Sequence, residues 1–245
     1  MKYEVNTLNK RDDLEFEVAS LDDRSWPLFL QNGDAKSWQH FYDELSEYVL
    51  VLTQEEQLIA VGFTVPVIWD GNADNLPSSI EEVLLNGLKV KRNNLAPNTL
   101  IPIGALVDNK VQGQGLSSKV LVEMKKLATS LDISSLVVPV RPTKKAQYPL
   151  QSIHDYATWK NGDGYLYDPW LRVHEKLGAE IIKIAECTLE VTNSIENWES
   201  WTKMVFPVSG EYIVKGALSS VRVDKNKDTA TYLEPNVWML HPMDT

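Results

Sequence analysis

Two glycines bracket a single glutamine in KVQGQGLSSKVLVEM, at positions 113 and 115, immediately ahead of a run with helical apolar spacing. Helix entrances are better capped by Ser, Thr, Asp or Asn. Glycine at both positions therefore points to a group that must come very close to the backbone. A strand, a glycine turn and an amphipathic helix together make an anion cradle, because the first N–H groups of the helix lack partners and its dipole favours negative charge. Ser117 and Ser118 would add hydroxyl donors. The stretch is not a nucleotide phosphate loop, since no Lys-Ser or Lys-Thr follows the glycine. Nor is it the dinucleotide fingerprint, whose third glycine falls at Ser118. The alternative is an ordinary turn followed by a solvated helix face.

Two further residues stand out. Relative to Trp170, Val173, His174 and Leu177 fall at i+3, i+4 and i+7, so His174 lies along an apolar helical stripe. It reads either as a functional imidazole or as a core histidine with a satisfied hydrogen bond. Thr143, in VRPTKKAQYP, follows a buried strand between Pro142 and two lysines. It reads either as a functional hydroxyl or as a turn threonine. The four histidines show no metal-ligand spacing, so no metal is expected. The single cysteine, Cys187, excludes an intrachain disulfide and reads as a buried strand thiol.

The elements that must position these residues can be read from periodicity. YVLVLT and LIAVGFTVPVIW, joined by polar QEEQ, form a hairpin. Ser37–Tyr48 reads as a helix capped by Ser37, and Ser78–Arg92 as a serine-capped helix whose charge runs from acidic to basic. Thr99–Asp108 and Ser135–Val140 are nearly continuous apolar strands suited to the middle of a sheet. In DPWLRVHEKLG, Asp168 caps, Pro169 sits at N1 and Gly178 ends the helix. The mixture is α/β with mostly antiparallel connections. No linker is evident, so one domain over 1–245 is expected, with a core of about 1–190 and a β-rich extension of about 191–245.

The 245 residues carry a net charge of −10, which argues against a nucleic-acid binder. The N-terminus lacks an apolar signal segment, and the longest apolar run is too short for a bilayer, so a cytoplasmic protein with no membrane partner is expected. Within Lys110–Lys145, however, seven basic residues face two acidic ones. That local excess would suit an anionic ligand.

KVQGQG ahead of an amphipathic helix resembles motif A of the GNAT acyltransferase superfamily, Gln/Arg-x-x-Gly-x-Gly/Ala, with Lys110 in the first position. IPIGALV is similar to the family's central strand, LVVPV to the next strand, and DPWLRVHEKLGAEII to its later helix–strand unit. The resemblance covers about Leu58 to Ile184. It implies a mixed, mostly antiparallel twisted sheet flanked by helices. Its two central parallel strands splay apart, and the pantetheine arm of coenzyme A lies between them. Pro139, with no N–H to offer a neighbour, suits the splay. The resemblance further implies that Leu106, Val107, Gln112, Gly113, Gln114, Gly115, Leu116, Ser117 and Ser118 hold the coenzyme A moiety. The Glu and Tyr that often serve amine acetylation in the family are missing from the matching strand and helix, with Tyr165 and Tyr167 just ahead of that helix as substitutes.

PVRPTKKAQYPL, DPWLRVHEKLGAEI, SGEYIVKGAL and EPNVWM more specifically resemble the GNAT-like decarboxylase and loading domains of polyketide synthases of the curacin type, from about Leu100 to the C-terminus. That resemblance implies that Thr143 and His174 act on a malonyl thioester. Carbon dioxide is lost, and the acetyl product passes to an acyl-carrier-protein thiol. It also implies an arginine for the malonyl carboxylate, with Arg141, Arg172 and Arg222 as candidates. The residue types suit the chemistry, because hydroxyl and imidazole donors stabilise an enolate oxyanion and His can return a proton to the carbanion. The expectation is an acyl-CoA-dependent acyltransferase in this decarboxylating form. Its alternatives are a small-amine N-acetyltransferase using acetyl-CoA and a non-catalytic acyl-CoA-binding module.

Overall fold

The structure, a computed structural model, describes residues 3–243. In chain order the elements are β1 (Glu4–Thr7), α1 (Glu15–Ser25), α2 (Phe41–Leu45), β2 (Val49–Gln54), β3 (Gln57–Val67), α3 (Ile80–Arg92), β4 (Thr99–Val107), α4 (Leu116–Ser130), β5 (Ser135–Val140), α5 (Ile153–Tyr156), α6 (Pro169–Lys176), β6 (Glu180–Ser194), α7 (Ile195–Thr202), β7 (Gly210–Tyr212), β8 (Val221–Asp224) and β9 (Thr229–His241). Short 3-10 turns fill several connections.

The local reasons are visible in the caps. β2 and β3 are joined by Glu55-Glu56, both at positive φ (49° and 63°). Two left-handed residues in a two-residue loop match the twist of a hairpin. Ser79 caps α3 by accepting from the Glu82 amide at 3.1 Å, and the Glu82 carboxylate accepts from the Ser78 amide at 2.7 Å. Ser37 does not cap a continuous helix. Its stretch breaks into 3-10 turns around the five-residue α2, and its hydroxyl and amide donate to the Glu81 carboxylate at 2.7 and 2.9 Å.

Among the described residues nine strands form one mixed sheet in the order β1-β2-β3-β4-β5-β9-β8-β7, with β6 on the other edge of β9. All pairings are antiparallel except β4–β5. The last strand, β9, lies between β5 and β6. The segment expected as an extension thus supplies an interior strand, while α7, β7 and β8 gather around its first half.

Strand alternation assigns the two faces. Val51, Val61 and Phe63 pack with α1, α2 and α3, whereas Leu50, Leu52 and Ala60 pack with α4. On α4, Leu116, Val120, Leu121, Met124 and Ala128 are buried at helical spacing. Each leucine so buried stabilises the fold by about 1.5–3 kcal/mol. Gly62 of β3 allows α4 to seat, since a Cβ there would lie 2.6 Å from the Met124 methyl carbon.

Candidate active site

β4 and β5 pair only through Thr99–Ser135 and Leu100–Leu136 before they diverge. Two features drive them apart. The register of β4 against β3 slips at Ile103, a β-bulge that bends the strand. Pro139 of β5 has no N–H to bridge the gap, although its other side still pairs with Trp238 of β9. A cleft of about 650 Å³ fills the gap, walled by Ile103 to Val107, Val138 to Arg141, and Trp170 and Val173 of α6. Its size is that of a small-molecule site.

The start of α4 closes one end. Gly113 and Gly115 have φ of 80° and 70°, and a Cβ built on either meets nothing within 4 Å. The turn thus requires left-handed backbone and leaves open space above it. The first helical bond is donated by Lys119 to the Gly115 carbonyl, so the amides of Leu116, Ser117 and Ser118 are free of the helix ladder. These three residues line the cleft with Leu106, Val107, Gln112, Gly113 and Gly115. The Gln112 side chain folds back, donating to the Asn109 Oδ1 at 2.7 Å. Gln114 is exposed and outside the lining.

The basic excess of Lys110–Lys145 does not gather at this cradle. Lys145 is buried and donates to the carbonyls of Tyr148 and Leu218; burial lowers its pKa. Lys126 pairs with Glu123, and Lys144 lies over the Tyr167 ring. Of the segment's cations only Arg141 lines the cleft, and its Nε pairs with Glu234 while Nη2 donates to the Gly216 carbonyl at 2.7 Å. A second cation lining the cleft is Arg24 of α1, which bonds the Asp108 carboxylate at 2.6 Å.

Thr143 lines the cleft and is exposed to it. Asp168 holds its loop. The buried carboxylate accepts from the amides of Thr143 and Lys144 (3.2 and 2.7 Å), from those of Trp170 and Leu171 at the start of α6 (2.9 and 3.2 Å), and from the Tyr156 hydroxyl (2.9 Å). Asp168, legible in the sequence as a helix cap, therefore also fixes β5's loop against α6.

His174 lies outside the cleft lining, behind Trp170 and Val173. Its ring is fully buried, sits edge-on to Trp170 at 4.6 Å, and shares a hydrogen bond from Nδ1 to Nε2 of His241 at 2.8 Å. Burial, reinforced by the neighbouring His241, holds its pKa at about 3; burial and then Lys125 hold His241 at about 4. Both are thus neutral near pH 7. The structure brings Thr143 to the cleft with the amide cradle and leaves His174 in the core.

The other substitutes fare similarly. Tyr167 bonds Tyr148 at 2.9 Å, and neither Tyr165 nor Tyr167 lines the cleft. Arg172 donates to the carbonyls of Leu166 and Tyr167, and Arg222 is exposed beside Glu211. Neither reaches the cleft. No group of three potential metal ligands occurs among the described residues, and no helix there is long and apolar enough to cross a membrane.

A second cavity, of about 250 Å³, adjoins the first, sharing Trp26, Ile103, Pro139 and Arg141 with it. Its wall includes Asp22, Trp38, Glu234 and Asn236. Burial raises the pKa of Asp22 despite its donors, and raises that of Glu234 despite Arg141 and the Tyr232 hydroxyl beside it. The sequence signal for Asp22 was its phase: it stands at i+4 from Val18 and one residue after Leu21, on the buried face of α1.

No family model matches the chain. Among known proteins, the chain is 29% identical to arginine N-acetyltransferase avaD of Aspergillus versicolor, over 98% of this chain and 94% of that protein. Among solved structures, the loading GNATL domain of CurA from Lyngbya majuscula superposes with a TM-score of 0.66 at 16% identity, covering 99% of this chain and 98% of that one. The GphF GNAT-like decarboxylase in complex with isobutyryl-CoA gives 0.59 at 16% identity, with both chains fully covered. The chain has a GNAT-like fold.

Proposed function

We propose that the protein is an acyl-CoA-dependent acyltransferase that transfers an acyl group to an amine. The observation that carries this reading is a pair of adjoining cavities. One spans the gap between β4 and β5 from the free amides at the start of α4, and the other, which shares four wall residues with it, is lined in part by carboxylates. The amides of residues 116–118 would take the diphosphate, and the thioester would sit where the two cavities share Ile103, Pro139 and Arg141. There the amine lone pair attacks the carbonyl carbon, a C–N bond forms and the C–S bond breaks. The proton lost from nitrogen leaves with the thiolate as the coenzyme A thiol. Similarity to an arginine N-acetyltransferase over nearly the whole chain supports a nitrogen acceptor. The test is mass spectrometry of acetyl-CoA incubated with a panel of amines. N-acetylated product with release of coenzyme A is expected, and intact acetyl-CoA with every amine overturns the reading.

A second reading is decarboxylation of a malonyl thioester followed by acetyl transfer to a carrier-protein thiol. The observation that favours it is Thr143, a hydroxyl on the cleft wall. It asks in addition for His174 to act from behind Trp170 and for Arg141 to release Glu234 to hold the carboxylate. It predicts that malonyl-CoA yields acetyl-CoA or an acetylated carrier, with Thr143→Ala and His174→Ala each slowing turnover at least tenfold. Undiminished malonyl-CoA in the same assay removes it.

A further inference from the structure

The second cavity contains an acceptor atom with nothing to accept. Asn236 of β9 is 5% exposed and lines the cavity, and its Oδ1 has no partner. As its amide is placed, Nδ2 donates to the Thr188 hydroxyl at 2.5 Å, and that hydroxyl donates on to the Glu234 carbonyl at 3.3 Å. The carbonyl oxygen of Asn236 is therefore left over. A buried polar atom without a partner is costly, and a ligand donor is a ready remedy.

Asp22 is in the same condition. Its Oδ1 accepts from the Trp26 indole at 2.8 Å, and its Oδ2 from the Trp38 indole at 3.1 Å and the Tyr42 hydroxyl at 3.3 Å. Oδ1 thus carries one bond where Oδ2 carries two, which leaves it room to accept another. Among the described residues no Lys, Arg or His forms an ion pair with it, although the residue is only 8% exposed. Buried charges are normally paired. The only cation on this wall, Arg141, is already committed to Glu234. Asp22 and Asn236 thus line the cavity with unfilled acceptors, together with Trp26 and Trp38.

We infer that this cavity binds a fixed organic cation, a guanidinium or an ammonium, carried by the acyl acceptor at the end opposite its reacting amine. The inference rests on the reading of the protein as an amine acyltransferase and names its substrate class. A guanidinium or ammonium supplies donors to Asn236 and a counter-charge to Asp22. The cation is not the nucleophile. An amine held against a buried carboxylate keeps its proton and cannot attack, whereas the thioester would sit at the boundary with the first cavity. The acceptor is therefore bifunctional, a reactive amine on a short chain with a second, permanently charged head.

The experiment compares 4-guanidinobutylamine and 1,5-diaminopentane with 4-ureidobutylamine, a neutral analogue of the first, under saturating acetyl-CoA. The expected kcat/KM is at least tenfold higher for the charged acceptors than for the urea. The relative rates of the two charged acceptors identify the head as guanidinium or ammonium. The preference falls toward unity in Asp22→Asn and Asn236→Ala, with acetyl-CoA affinity reporting that each variant is folded. Should Asp22→Asn fail to fold, Asn236→Ala decides. Equal use of the urea by the unaltered protein, or an undiminished preference in the folded variants, overturns the inference. If no amine is acylated, the failure is that of the acyltransferase reading. Calorimetric titration of 4-guanidinobutylamine into the coenzyme A-saturated protein then decides this one: heat of binding lost in Asn236→Ala sustains it, and no heat overturns it.

Discussion

Replacing Gly115 by alanine separates what the cradle costs the fold from what it gives a ligand. Gly115 has φ 70° and ψ 18°, and a Cβ there meets nothing within 4 Å. The folded protein therefore bears only the left-handed backbone penalty of an L-residue, about 1–2 kcal/mol. For a chain of this size that lowers Tm by about 2–8 °C. The new methyl projects into the open space where the diphosphate would rest against the amides of residues 116–118. Loss of one hydrogen bond to a charged group costs about 1.5–3 kcal/mol, so acetyl-CoA affinity should fall at least about tenfold. Gly71 supplies the control. Its φ is 84°, it too has nothing within 4 Å, and it lies outside both cavities. Gly71→Ala should cost similar stability and leave acetyl-CoA affinity unaltered. Calorimetric titration and thermal melts of both variants check this. If Gly115→Ala melts as worked out here but binds acetyl-CoA within about twofold of the unaltered protein, the cradle does not hold the nucleotide and the functional reading falls with it.

Two further outcomes follow from the same geometry. Asp168→Ala strands four backbone amides and the Tyr156 hydroxyl. Unpaired buried donors cost about 1–3 kcal/mol each, in part recovered by water, so a loss of about 3–5 kcal/mol is expected in urea denaturation, and one below 1 kcal/mol would mean the donors find other partners. The buried histidines make stability depend on acid: His174 and His241, held near 3 and 4 by burial, bind protons more readily in the unfolded chain, whose histidines titrate near 6.5. Their contribution is complete above about pH 6.5 and is lost as pH falls toward 4, by about 1.4 kcal/mol per pH unit for each ring. Denaturation midpoints at pH 7, 6, 5 and 4 should show that slope, and His174→Gln should reduce it by about half.

The amino-acid sequence by itself determined whatever depends on neighbours a few residues apart. The β2–β3 hairpin, the caps at Ser79 and Asp168, the apolar stripe of α4 and the glycine turn before it are set by bonds spanning two to four residues and by side-chain periods of 2 and 3.6. Pro139 marked the splay because the missing N–H is a property of the residue itself. Tertiary structure decided what depends on which elements meet. Lys110–Lys145 is basic in sequence, yet Lys126, Arg141, Lys144 and Lys145 turn to Glu123, Glu234, the Tyr167 ring and the carbonyls of Tyr148 and Leu218, because helix and loop send consecutive side chains in different directions. His174 was legible as inward-facing, but only the packing of Trp170 and Val173 in front of it, and of His241 beside it, put it in the core rather than the cleft. The second cavity left no sequence signature beyond the buried phase of Asp22. Asp22, Thr188, Glu234 and Asn236 share one cavity wall because β9, near the end of the chain, enters the sheet between β5 and β6, and such long-range pairing leaves no periodic trace in any one segment.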